Sequence, residues 1–161
     1  MKYFSLLMLL VLVACAKPSP TIDISWIGPY TVASTSQVDE ASSLSGQISR
    51  SSGVRHNSTT ARIPAVLGSR FGMGYVISDP DKTRIFNVRY VWRFPGGGLL
   101  NSSTGESASF FQIRRTCRVG ESCATAWVFN HDWELKPGKW TAEIWLDEKM
   151  ALSRDFEVYL P

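Results

Sequence analysis

The chain has 161 residues, 44% of them hydrophobic, with 17 Lys and Arg against 14 Asp and Glu for a formal net charge of +3. That length suits a single domain with a real core. A charge so near balance, with neither a basic cluster nor an acidic tail, gives no footing to nucleic-acid binding or to a solvating arm.

The first element stands apart from the fold. Phe4 to Ala14 is an apolar run whose one polar member is Ser5, preceded by Lys2. A spanning helix needs roughly 20 apolar residues, so the run matches the h-region of an export signal instead. It closes on Leu12-Val13-Ala14-Cys15, which resembles the lipobox read by the bacterial lipoprotein signal peptidase. Ordinary secretory cleavage at Ala14 or Ala16 is the alternative. The resemblance implies a signal peptide over 1–14 and a lipidated tether over 15–21. Cys15 would carry a thioether-linked diacylglyceryl group and an amide-linked fatty acid such as palmitate. Two or three acyl chains hold a protein firmly to a membrane, where one does not. Ala16, in place of an aspartate, points to the periplasmic face of the outer membrane. Lys17-Pro18-Ser19-Pro20 then forms a short, stiff spacer.

Residues 22–161 read as strands. Ile22, Ile24 and Trp26 alternate with polar residues until Gly28-Pro29 interrupts before Tyr30-Thr31-Val32. From 33 to 60 Ser and Thr dominate, which predicts an irregular segment with at most one weak strand near Leu44 to Arg50. Phe71, Met73, Tyr75 and Ile77 then alternate with Gly72, Gly74, Val76 and Ser78 up to an Asp79-Pro80-Asp81 turn. Val88, Tyr90, Trp92 and Phe94 form a second alternating set, ended by Pro95-Gly96-Gly97-Gly98. Phe111, Ile113 and Cys117 share a face opposite Phe110 and Gln112, and Ala124 to Phe129 is read as their partner across a hairpin. Trp140, Ala142, Ile144 and Leu146 make the last strong strand, followed by an Asp147-Glu148-Lys149 turn and a run to Val158.

With Cys15 assigned to lipid, Cys117 and Cys123 remain. An exported protein matures where disulfides persist, so this even remainder predicts a bridge. No window beyond the signal carries a helical apolar stripe. Short strands with turn signals every 8–12 residues predict an immunoglobulin-like antiparallel β-sandwich of seven to eight strands, its core rich in tryptophan. A small closed barrel is the runner-up.

Several stretches are similar to one uncharacterised bacterial family. They are Arg62-Ile63-Pro64-Ala65, Gly68 through Phe71-Gly72 and Tyr75, and Val91-Trp92-Arg93 before Pro95. Trp133-Glu134-Leu135-Lys136-Pro137-Gly138-Lys139-Trp140, Glu143-Ile144-Trp145 and Phe156-Glu157-Val158 complete the set. The family is a domain of unknown function found in secreted and lipid-anchored proteins. The resemblance spans roughly Thr60 to Val158 and implies an immunoglobulin-like sandwich, with no catalytic residue, cofactor or ligand attached.

The residues themselves name no catalytic, cofactor or metal site. His56 sits in the Ser/Thr-rich segment without an acidic neighbour. His131-Asp132 would place its two side chains on opposite faces of a strand, so a turn with solvated side chains is the simpler reading. Gly120-Glu121-Ser122-Cys123 lacks the second glycine of a nucleophile elbow. No close spacing offers three or four metal ligands.

Surface aromaticity is the better lead. If Trp140 and Trp92 face the core, Trp145, Arg89 and Arg93 face out, a grouping able to grip a sugar ring, a peptide strand or a protein. The bland alternative covers Trp145 with the 33–60 segment. These features predict a non-enzymatic interaction module meeting another envelope protein through an exposed sheet edge. A glycan- or small-ligand-binding lipoprotein using Trp145 is the alternative.

Overall fold

A computed structural model describes residues 18–56 and 58–161. The signal peptide, Cys15 and the start of the tether lie outside the described residues. Strands dominate. The first group is β1 (Thr21–Thr31), β2 (Ser34–Asp39), β3 (Gln47–Ser52), β4 (Arg55–His56), β5 (Arg62–Pro64), β6 (Arg70–Ser78) and β7 (Ile85–Arg93). The second is β8 (Leu99–Leu100), β9 (Ser107–Ala108), β10 (Phe110–Arg118), β11 (Ser122–Val128), β12 (Gly138–Leu146) and β13 (Lys149–Tyr159), with a 3-10 turn at Asp132–Glu134.

Nine strands build two facing sheets, ordered β11-β6-β1-β4 and β10-β7-β12-β13-β5. Both sheets keep free edges, which makes a sandwich and rules out the closed barrel. The pairing is antiparallel except where the short β5 joins β13 in parallel. The predicted alternation sets the core. Phe71, Met73, Tyr75 and Ile77 of β6 face Phe86, Val88, Tyr90 and Trp92 of β7, with Trp140, Ala142, Ile144 and Phe156 completing a buried aromatic interior. Asp147 and Glu148 both adopt positive φ and form the two-residue turn between β12 and β13, whose twist suits a tight hairpin.

Three local expectations change. Gly28-Pro29 does not end the first strand, because β1 runs through to Thr31 and Gly28 takes the left-handed φ of 113° that a side chain resists. Within β1 the register shifts between Ile24 and Trp26. That extra residue turns Trp26 onto the outer face, opposite Gly74, instead of leaving it beside Ile22 and Ile24. The Ser/Thr-rich segment is a hairpin, β2 paired with β3 over Ser34–Asp39 and Gln47–Ser52, followed by β4. Polar cross-strand pairs such as Ser34 with Ser52 and Gln37 with Ser49 hold it, so hydrophobic periodicity misses it.

Candidate binding cleft

β10 and β11 follow one another in the chain but do not pair. β10 bonds β7 and β11 bonds β6, so each is the last strand of its own sheet. The predicted hairpin is therefore a crossing between sheets. The reason lies in the side chains: Phe111, Ile113 and Cys117 face the interior from one sheet, and Cys123, Thr125 and Trp127 face it from the other. Cys117 and Cys123 meet there as the predicted disulfide, their Cα atoms 6.3 Å apart. The bridge pins one end of the unsealed side of the sandwich.

Away from that pin the gap widens into a cleft of about 300 Å³. Tyr90 and Trp92 line its back, Phe111, Ile113 and Arg115 one wall, and the run from Ala124 to Val128 the other, with Arg115 turned to Glu40 of the hairpin loop at 4.0 Å. The β2–β3 hairpin is its roof, bringing Ser43, Ser45, Gln47, Ile48, Ser49 and Ser51. Few polar contacts hold that roof down. Asn130 Nδ2 donates to Ser49 Oγ at 3.3 Å, Asn101 Nδ2 to the Leu44 carbonyl at 2.8 Å, and Arg70 Nη2 to Thr35 Oγ1 at 3.0 Å. Beyond the roof, Trp26 and Tyr30 extend the aromatic lining along β1. A second hollow of about 350 Å³, bounded by Phe94, Leu99 and Trp133, shares Trp127 and Glu134 with the first.

Two polar groups stand at that junction. Glu134 is only 4% exposed and accepts hydrogen bonds from the backbone N–H groups of Asn130 and His131. Burial pushes its carboxyl up to about 7, although those two hydrogen bonds pull the other way. The indole N–H of Trp127 is buried and has no hydrogen-bond partner. Deeper in, Trp92 Nε1 donates to Thr125 Oγ1 at 2.9 Å, and the Tyr75 and Tyr90 hydroxyls share a 2.8 Å bond. Burial drives both tyrosine hydroxyls above the ordinary phenol range.

The predicted surface group comes together on the outer face of the five-stranded sheet. β7 and β12 are neighbours, with Trp145 opposite Arg89 and Thr141 opposite Arg93. The Arg89 guanidinium lies 4.3 Å from the Trp145 ring centroid, and Trp145 Nε1 donates to Glu143 Oε2 at 2.8 Å. Arg93 donates its Nε to Glu143 Oε1. Burial alone would raise the Glu143 carboxyl. Hydrogen bonds from Arg93 and Trp145, with the charges of Arg93 and Arg89, outweigh it and hold the group below the usual carboxylate range. The cluster thus spends one ring face and the indole N–H of Trp145 on its own neighbours. The 33–60 segment does not cover Trp145; it roofs the cleft instead. His131 lies at the head of the 3-10 turn, stacked on Trp133 at 5.2 Å.

Sequence reasoning did not single out Trp26, Tyr30, Trp127 or Glu134. One signal was available: Gly72 and Gly74 inside a strong strand mark a close approach. A Cβ at Gly74 would lie 1.9 Å from Trp26 Nε1, so the glycine is the bed on which that indole rests.

An immunoglobulin-like protein from Pseudomonas aeruginosa has a similar structure, with a TM-score of 0.63 and 20% identity over 89% of this chain and 99% of that one. The alkylpurine DNA glycosylase AlkC of Pseudomonas fluorescens, solved with DNA containing an abasic site analogue, is similar over 63% of this chain and 28% of its own. Its TM-score of 0.41 and 18% identity carry no argument. No curated protein matches the chain by sequence. The family model for the domain of unknown function DUF3859 matches residues 19–158, nearly the whole described chain. The likeness read over roughly Thr60 to Val158 thus extends back to the tether, and the chain belongs to the DUF3859 family.

Proposed function

We propose that this protein is a lipid-anchored component of the bacterial cell envelope, held through Cys15 at the periplasmic face of the outer membrane. Its immunoglobulin-like domain acts there as a non-enzymatic interaction module for another envelope protein. One observation supports this reading above the others: the sandwich leaves a side unsealed, with aromatic rings behind two unpaired strand edges. Unpaired edges over apolar surface are the ordinary material of protein recognition. Pre-formed aromatic clefts with a few convergent polar groups are the ordinary material of binding sites.

The test is site-specific photo-crosslinking in intact envelopes, with the probe residue placed at Phe111 and at Ser45. A discrete protein adduct from either position supports the reading, and its absence from both rejects it. Cys15→Ala tests the anchor. The variant should lose acylation and leave the membrane fraction; unchanged fractionation overturns the assignment.

A glycan is the second reading, favoured by the concavity of the cleft and by Ser43, Ser45, Ser49 and Ser51, which line it together with its aromatic rings. It predicts binding to purified peptidoglycan or to defined oligosaccharides, and the loss of that binding in Trp127→Ala. With the Trp145 indole N–H already engaged by Glu143, the glycan reading moves from Trp145 to this cleft.

A further inference from the structure

The two sheets end in four outer strands, and they are not equally protected. β4 has two residues and β5 has three, too short to template another strand. β10 is nine residues long but carries Arg114, Arg115 and Arg118, the kind of charge that discourages edge-to-edge pairing. β11, Ser122–Val128, has seven residues with neither a charge nor a proline. Its outward side chains Ala124 and Ala126 are small and exposed. β4 pairs only Tyr30 and Thr31 of β1, and β5 only Glu157 to Tyr159 of β13, so the rest of those two strands is edge as well. Asp23, the bulge between Ile24 and Trp26, and Pro29 guard β1, and Lys149, Arg154 and Asp155 guard β13. Among the described residues, β11 alone is left without such a guard.

The cleft lies along that edge. Five consecutive residues of β11, Ala124 to Val128, line it. Successive side chains of a strand point to opposite faces, so an unbroken run presents backbone as well as side chains. The hairpin strand β3 sits across the gap, yet its ladder is with β2, and the contact from Asn130 to Ser49 does not pair it with β11. The buried N–H of Trp127 adds an unused donor beside the same strand.

We infer that the free edge of β11 is a strand-addition site, occupied by an extended, uncharged segment of a protein partner. The inference rests on the interaction-module reading and specifies where and how the partner binds. Residues of the incoming segment alternate between two environments. Those turned inward meet Phe111, Ile113 and Trp127 and are apolar. Those turned outward meet Ala124, Ala126 and the hairpin serines and are small or polar. Trp127 Nε1 donates to a carbonyl of the segment. A second folded copy of the chain fits this role poorly, because the β2–β3 hairpin lines the same cleft along β11.

The experiment places a photo-reactive residue at Ala126, at Gln112 on β10 and at Trp145 on the outer face of the five-stranded sheet, in intact, membrane-anchored protein. The adduct's crosslinked segment is mapped by mass spectrometry, made as a synthetic peptide, and bound to the purified domain. The expected result is a crosslink from position 126 to an uncharged segment of alternating apolar and polar residues. That peptide should slow hydrogen exchange in residues 122–128. Ala124→Lys and Ala126→Asp should each weaken it at least tenfold while leaving the thermal midpoint unchanged. Arg114→Ser, on β10 but outside the cleft, should bind as wild type.

Crosslinks confined to positions 112 or 145 leave the module reading standing and overturn the strand-addition site. Adducts to a second copy of this chain, or protection of β10 in place of β11, overturn it equally. No protein adduct from any position rejects the module reading, and this inference with it.

Discussion

Glu134 makes stability fall as pH rises, which is the reverse of the usual carboxylate. Its carboxyl lies at about 7 in the folded protein, against 4.5 unperturbed, because it is buried between the cleft and the 3-10 turn. The folded state therefore binds the proton more tightly than the unfolded state. The stabilisation is complete below the unfolded pKa and is lost as pH climbs through 7. At about 1.4 kcal/mol per pKa unit, integrating between pH 5 and pH 8 gives a loss of about 2.5 kcal/mol. Glu134→Gln removes the titration while keeping a carbonyl oxygen for the N–H groups of Asn130 and His131. Urea unfolding of both proteins across that range isolates the term, since every other titrating group is common to the pair. The wild-type midpoint should drop by about 1 M relative to the variant, with parallel slopes, for a urea m-value of about 2 kcal/mol/M. If the two proteins show the same pH dependence, Glu134 is ionised in the folded state throughout and the buried-acid argument is wrong.

Three further perturbations probe the same region. Cys117→Ala with Cys123→Ala opens a short loop and should cost about 2 kcal/mol in the chain-entropy model, read as a lower denaturant midpoint; an unchanged midpoint would show that the bridge does not hold the unsealed side. Gly74→Ala puts a methyl where the Trp26 indole lies, 1.9 Å from its nitrogen, and should destabilise by about 1–3 kcal/mol. The same change in a Trp26→Ala background should be close to neutral, and additive losses would refute the contact. Thr125→Val strands the buried Trp92 N–H and should cost about 1–3 kcal/mol, with equal urea midpoints counting against that hydrogen bond.

Legibility in the sequence followed the strength of the hydrophobic period. β6, β7 and β12 carry large apolar residues at every second position, and all three form as read, with those residues buried. A period of two also states which face is inward, which is why the sequence alone puts Trp145 and Arg89 outside without showing that their strands are neighbours. The β2–β3 hairpin escaped for the opposite reason. Five of its six pairs are polar and only Val38 with Ile48 is apolar, too little to show as a period of two.

The cleft was hidden by a different cause. The Cys117–Cys123 bridge is legible, because reading it needs only the expectation of export and the even remainder left once Cys15 is set aside. Local spacing around Arg118-Val119-Gly120-Glu121-Ser122 describes a hairpin just as well as a crossing between sheets. Only the partners chosen elsewhere, β7 for one strand and β6 for the other, decide between them. That decision separates the two edges and places Glu134 and Trp127 beside the gap.

By itself the sequence determined the all-β architecture, the inward and outward faces of its strong strands, the disulfide and the resemblance to an export signal. Each depends on residues close together in the chain, or on periodicity within one strand. Tertiary structure alone decided which strands end the sheets, where the polar hairpin lies, and that Trp26 faces outward after a one-residue bulge. Those outcomes depend on contacts between distant segments, and a period of two records a strand's faces without recording its neighbours.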